Sequence, residues 1–202
     1  VDINLNDLSE AVVINSSDFT DDGLTIVRSG SRVRVVNTVT GVDVIPAHEI
    51  DQIDSPTVTG RDSADDTLTV DFSNGNTIPT PGISYEGGTG GNDTLDLIGG
   101  SVTDVSHNFT SSSSGDVSID GSLLTYTGLE PINDLLAAQT RSFTFGATAD
   151  SVTVEDIGSS NDGRVRISSV SSSETVDFNV PATSIEVLLG GANDTLNVTS
   201  LD

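Results

Sequence analysis

The sequence predicts an all-β chain built from stacked repeating units. Three observations carry that expectation: short apolar–polar alternations, turn residues at their ends, and landmarks that recur in the same order along 202 residues. The alternating runs are Leu24 to Val27, Arg32 to Val36, Thr67 to Phe72, Thr94 to Leu97, Val117 to Ile119, Ser142 to Phe145, Ser151 to Val154, Val165 to Ile167 and Ile185 to Leu188. Most are bounded by Gly, Asn, Asp or Ser, which favour tight turns because they accept positive φ or bond their own backbone. One stretch carries helix signals. After Gly128-Leu129-Glu130, Pro131 is placed to open a short helix whose Leu135, Leu136, Ala137 and Ala138 favour that state.

Three landmarks occur twice. Asp22-Gly23 is matched by Asp162-Gly163, Val42 to Ala47 by Val176 to Ala182, and Asp65 to Val70 by Asn193 to Val198. The offsets drift downward, as loop deletions between degenerate repeats produce. A further copy, Asn92 to Leu97, follows the Asp65 to Val70 landmark by 27 residues, near one turn of a β-solenoid. The expected organisation is a first repeat segment over 1–72, a middle β segment over 73–140 that holds the short helix, and a partial second repeat over 141–202. Stacked β-solenoid or β-helix-like turns are favoured over tandem β-sandwich modules, because 27 residues is too short for a sandwich of about 100. Asp150 to Pro181 also reads as an antiparallel meander, so the sandwich stays the alternative. In the repeat alignment Leu68, Leu95 and Leu196 are equivalent and point inward.

Composition narrows the function. Apolar side chains make up 34% of the chain, which leaves a thin core. Acidic residues number 31 against 7 basic ones, all arginine, for a formal charge of −24. Lysine-based Schiff-base, isopeptide and P-loop chemistry is thereby excluded. Such a charge repels nucleic acid and anionic lipid, and cations are its natural partners. No stretch reaches the roughly 18 apolar residues of a membrane helix, so membrane insertion is not expected. There is no cysteine for a disulfide or a thiolate site. The first residue is Val1 and no signal-peptide pattern follows it, so the chain reads as a mature or excised piece of something longer.

Gly87-Gly88-Thr89-Gly90-Gly91-Asn92-Asp93-Thr94-Leu95-Asp96, with its weaker partner Gly190-Gly191-Ala192-Asn193-Asp194-Thr195-Leu196, combines tight-turning glycines, a carboxylate and an inward leucine. In this the chain resembles the RTX, or hemolysin-type calcium-binding, proteins and more broadly the giant repetitive adhesin-like proteins of bacterial surfaces. The resemblance implies calcium, with Asp65, Asp66, Asp93 and Asp194 as its ligands where turns stack. The chain departs from the family in carrying single motifs instead of tandem nonapeptides. One turn offers too few of the six to eight oxygens calcium takes, and Asn-Asp pairs are also plain turn formers.

Enzymatic chemistry finds little support. His48 and His107 stand in unrelated contexts and no Gly-x-Ser-x-Gly elbow occurs. Asp104, Ser106 and His107 are close in sequence, yet alternate strand residues face opposite ways. Zinc lacks ligands, and two tyrosines without tryptophan make poor sugar platforms. Five Asn-x-Ser/Thr sequons begin at Asn15, Asn92, Asn108, Asn193 and Asn197, no real excess in so Ser/Thr-rich a chain. The expected function is therefore non-enzymatic: a structural repeat module of an extracellular bacterial surface protein, an adhesin stalk or fibre, pairing by strand edges with neighbouring repeats or identical subunits. The alternative is a calcium-dependent β-helix domain that binds or cleaves polysaccharide, with Arg141, Arg164 or Arg166 facing an acidic sugar.

Overall fold

A computed structural model describes residues 10–170 and 173–201. The described chain forms eighteen strands: β1 (Glu10–Ile14), β2 (Leu24–Ser29), β3 (Arg32–Asn37), β4 (Asp43–Glu49), β5 (Ile53–Thr59), β6 (Thr67–Asp71), β7 (Ile83–Glu86), β8 (Thr94–Ile98), β9 (Ser101–Phe109), β10 (Ser114–Ile119), β11 (Ser122–Thr127), β12 (Ile132–Asp134), β13 (Ala137–Thr144), β14 (Ser151–Asp156), β15 (Arg164–Ser169), β16 (Val176–Asn179), β17 (Ser184–Leu188) and β18 (Thr195–Val198). Two single 3-10 turns, Ser16–Asp18 and Ile50–Gln52, complete it. The protein is all-β, as the alternating runs predict, and each of those nine runs falls on a strand.

The strands assemble into two large mixed sheets. The first has the order β1-β5-β7-β11-β10-β9-β13-β17, the second β18-β14-β15-β16-β12-β8-β6-β2-β3-β4. The chain crosses repeatedly from one sheet to the other, and strands that return to the same sheet pair in parallel: β5 with β7, β6 with β8, β8 with β12, β12 with β16 and β13 with β17. Three antiparallel meanders interrupt this alternation, β2-β3-β4 and β14-β15-β16 in the second sheet and β9-β10-β11 in the first. In the two meanders flanked on both sides, the first strand pairs with the strand that follows and the third with the strand that precedes.

Register explains the core. Leu24, Leu68, Leu95, Ile132 and Val176 lie opposite one another across five neighbouring strands, and all are fully buried. Period-two alternation puts every second residue of these strands between the sheets. Each side chain so buried contributes about 1.5–3 kcal/mol, which lets a 34% apolar chain keep a continuous core.

Three expectations need correction. The helix after Pro131 does not form: a cis Glu130–Pro131 bond leads directly into β12, and β13 begins at Ala137. β12 pairs on both sides, with β8 and β16, and a helix there would break both ladders. Leu196 does not share the environment of Leu68 and Leu95. It lies opposite buried Val152 in the inward register but remains 42% exposed, because β14 is the only described strand that pairs with β18. Asp22-Gly23 and Asp162-Gly163 are not equivalent either, since the first leads into β2 and the second turns β14 into β15. The other landmarks do correspond: Val42 to Ala47 lies on β4 and Val176 to Ala182 begins with β16, each the third strand of a meander. Asp65 to Val70 and Asn193 to Val198 run onto β6 and β18, each the parallel partner of a meander's first strand.

Candidate functional site

Two residues before each inward residue of that core row stands an acid: Asp22, Asp66, Asp93, Glu130 and Glu174. The parallel register stacks these positions at one corner of the molecule, at the strand spacing of about 4.8 Å. Glycine is required there by close approach. A Cβ on Gly60 would sit 2.2 Å from the Gly87 carbonyl oxygen, and one on Gly87 2.2 Å from that of Gly128.

Each acid expected to bind calcium accepts a backbone N–H through one of its carboxylate oxygens. Asp65 Oδ1 accepts the Asn92 N–H at 2.8 Å, and Asp93 Oδ1 accepts the Asp66 N–H at 2.9 Å, both across 27 residues. Asp66 accepts the Arg61 backbone N–H through Oδ2 and the Arg61 Nε–H at 2.7 Å through Oδ1. Asp194 repeats the Asp93 arrangement elsewhere, its Oδ1 accepting the Asp150 N–H at 3.0 Å. Asp65, Asp66 and Asp93 are therefore brought to one corner. Asp194 lies five strands further along the sheet, on the order of 24 Å away. Among the described residues no group of three or more His, Asp or Glu side chains is arranged to hold a metal ion.

Stacked acids oppose one another's ionisation. Burial pushes the Asp93 carboxyl up to about 6, with the charges of Asp66, Glu130 and Asp65 adding to the effect and the Asp66 N–H opposing it. Burial pushes Glu174 further, to about 8, and Glu130 again contributes. Glu130 and Glu174 line a cleft of about 360 Å³ together with Asn92, Ser112, Arg166 and Ser173. Glu174 is only 2% exposed: its Oε1 accepts the Thr175 N–H at 2.8 Å, while Oε2 has no partner among the described residues. The buried Ser173 hydroxyl has no partner among the described residues either. Arg166 is turned to Asp177, which receives its Nε–H at 2.6 Å and Nη2–H at 2.8 Å.

A second polar cluster lies inside the core. Ile26, Val70, Leu97, Asp134 and Phe178 form one inward row, and Val105, Arg141 and Ile185 another. Asp134 and Arg141 thus replace apolar residues in facing sheets. Asp134 accepts Arg141 Nε–H and Nη2–H, each at 2.8 Å, and the Leu136 N–H at 3.2 Å, with His107 Nε2 at 3.2 Å. Nη2 and Nη1 of the arginine also donate to the carbonyls of Leu136 and Asn179, both at 2.7 Å. Burial alone would raise the Asp134 carboxyl, but the hydrogen bonds from Arg141 and His107 outweigh it and hold the group down to about 2. His107 stacks on Phe143 at 5.2 Å, and the guanidinium lies 5.7 Å from the Phe178 ring centre.

Sequence reasoning separated His107 from Asp104 and Ser106 correctly, since His107 faces the core while Ser106 Oγ contacts Asp104 at 3.0 Å. It missed the partners Asp134 and Arg141. The signal was available once β12 and β13 were aligned with their neighbours, as charged residues at apolar positions of the repeat. Arg141, proposed to face a sugar, is 1% exposed and cannot do so. Comparison with protein-family models, with curated proteins and with solved structures gives no match to this chain.

Proposed function

We propose that this chain is a structural module of an extended β-solenoid, working on the outside of a bacterial cell as part of a stalk or fibre and assembling through its strand edges. The observation that carries the reading is the state of the C-terminal end. There β17 and β18, one from each sheet, pair on one side only among the described residues. Leu188, Leu196, Val198 and Leu201 around them are 45%, 42%, 55% and 55% exposed. An apolar, unpaired edge invites another strand.

Strand directions fit a further unit of the same kind as the occupant, either a neighbouring repeat or an identical subunit. Following the pairings across the first sheet, β1 and β17 run the same way; in the second sheet β4 and β18 do. A head-to-tail copy would set β1 beside β17 and β4 beside β18 in parallel, the same arrangement as within the chain. Such a contact is heterologous and does not close, so it extends into a filament. The acidic surface keeps lateral faces apart by charge and leaves the ends as the sticky sites. Electron microscopy of the purified chain at rising concentration tests the proposal: rods that lengthen end to end are expected, and single particles of constant size at every concentration would contradict it.

A further inference from the structure

We propose that the cleft between the corner before β12 and the corner before β16 is a divalent-cation site, with the Glu130 and Glu174 carboxylates as charged ligands and the Ser173 hydroxyl and Asn92 side-chain oxygen as neutral ones. The site differs from the Asp65, Asp66, Asp93 and Asp194 set, each of which accepts a backbone N–H through one carboxylate oxygen, and it does not depend on end-to-end assembly. Its chemistry is set by what is missing around Glu174. Glu174, 2% exposed, carries a carboxylate oxygen with no donor facing it among the described residues, and the adjacent buried Ser173 hydroxyl is in the same condition.

Burying unpaired polar atoms is costly unless something satisfies them. The one arginine at the cleft gives both its inner donors to Asp177, so it does not neutralise Glu174. A cation does so directly. The lining offers oxygens and no aromatic face, since Tyr85 and Tyr126 are buried in the core, which disfavours a sugar. The cleft, at about 360 Å³, has room for an ion with part of its water shell. Calcium, which takes six to eight oxygens in flexible geometry and accepts waters among them, fits a partly solvated set better than magnesium, which demands an ideal octahedron.

The test is titration calorimetry of the full chain with calcium chloride in 0.15 M sodium chloride at pH 8.5, where diffuse attraction is screened. One saturable site is expected, lost in Glu174→Gln and in Glu130→Gln and retained in Glu186→Gln and Asp194→Asn, which remove equal charge elsewhere. Absence of saturable binding in the wild type, survival in either cleft variant, or loss in Glu186→Gln overturns the proposal. Terbium gives a readout that needs no cleft variant. The chain has no tryptophan, and Tyr126 is close enough to Glu174 for that charge to act on its hydroxyl. Calcium-displaceable terbium emission sensitised by tyrosine and lost in Tyr126→Phe is expected; emission unaffected by that change speaks against the cleft.

Discussion

Replacing Arg141 by methionine removes the guanidinium that faces Asp134 in the core, and the consequence can be worked from the contacts. Asp134 loses two hydrogen bonds of 2.8 Å and keeps only the Leu136 N–H and His107. Breaking a buried ion pair from one side costs about 3–5 kcal/mol, because the surviving charge stays buried and uncompensated. Replacing both partners by residues of the surrounding rows behaves differently. In Asp134→Leu with Arg141→Met the positions match Leu97 and Val105 across the ladders, and such a swap is often neutral or stabilising. Urea unfolding of the wild type, both single variants and the double variant gives the coupling energy, expected to be favourable by about 2 kcal/mol or more. Acid unfolding adds a second check. The folded-state value of Asp134 lies below its unfolded one, so its contribution of about 2–3 kcal/mol is present above pH 4 and lost as pH falls toward 2. That acid-labile part should vanish in Arg141→Met. Additive single effects, or an Arg141→Met cost under about 1 kcal/mol, would refute the reasoning.

The corner residues give three further expectations. Glu174 has a folded-state value raised to about 8, so stability is fully present below its ordinary value and lost as pH rises through 8; thermal melts from pH 5 to 9 without calcium should show the loss in the wild type and a flatter profile in Glu174→Gln. Gly87→Ala should lower stability by about 1–3 kcal/mol or more through overpacking, because its Cβ meets the Gly128 carbonyl, whereas Gly191→Ala, with open space around it, should be nearly silent in the same melts. Asp93→Ala leaves the Asp66 N–H without its acceptor and should cost about 1–3 kcal/mol in calcium-free urea titrations; no measurable change would show that the stacked hydrogen bond contributes nothing.

What the sequence made legible follows from locality. Alternation in Arg32 to Val36 or Val165 to Ile167 is a property of a few neighbours, and these runs are strands. The 27-residue return of Asp-Asp-Thr-Leu as Asn-Asp-Thr-Leu was equally visible, and β6 and β8 pair in that register. What stayed hidden depends on which strands lie side by side. Leu135 to Ala138 has local helix propensity that two parallel ladders at β12 override. Leu196 carries the same local pattern as Leu68, but among the described residues its strand pairs only with β14. Glu130 and Glu174 show no motif in the sequence, and only the register places them in the column of Asp66 and Asp93.

The proposed edge-to-edge docking at β17 and β18 is tested most directly by sedimentation velocity over a wide concentration range, comparing the wild type with Leu196→Lys/Val198→Lys. Both side chains are already half exposed, so the variant should fold, while lysine blunts an edge strand against pairing. Concentration-dependent growth of the wild type into elongated species, abolished in the variant, is the expected result; a wild type that sediments as a single monomeric species throughout, or a variant that assembles equally well, would contradict it.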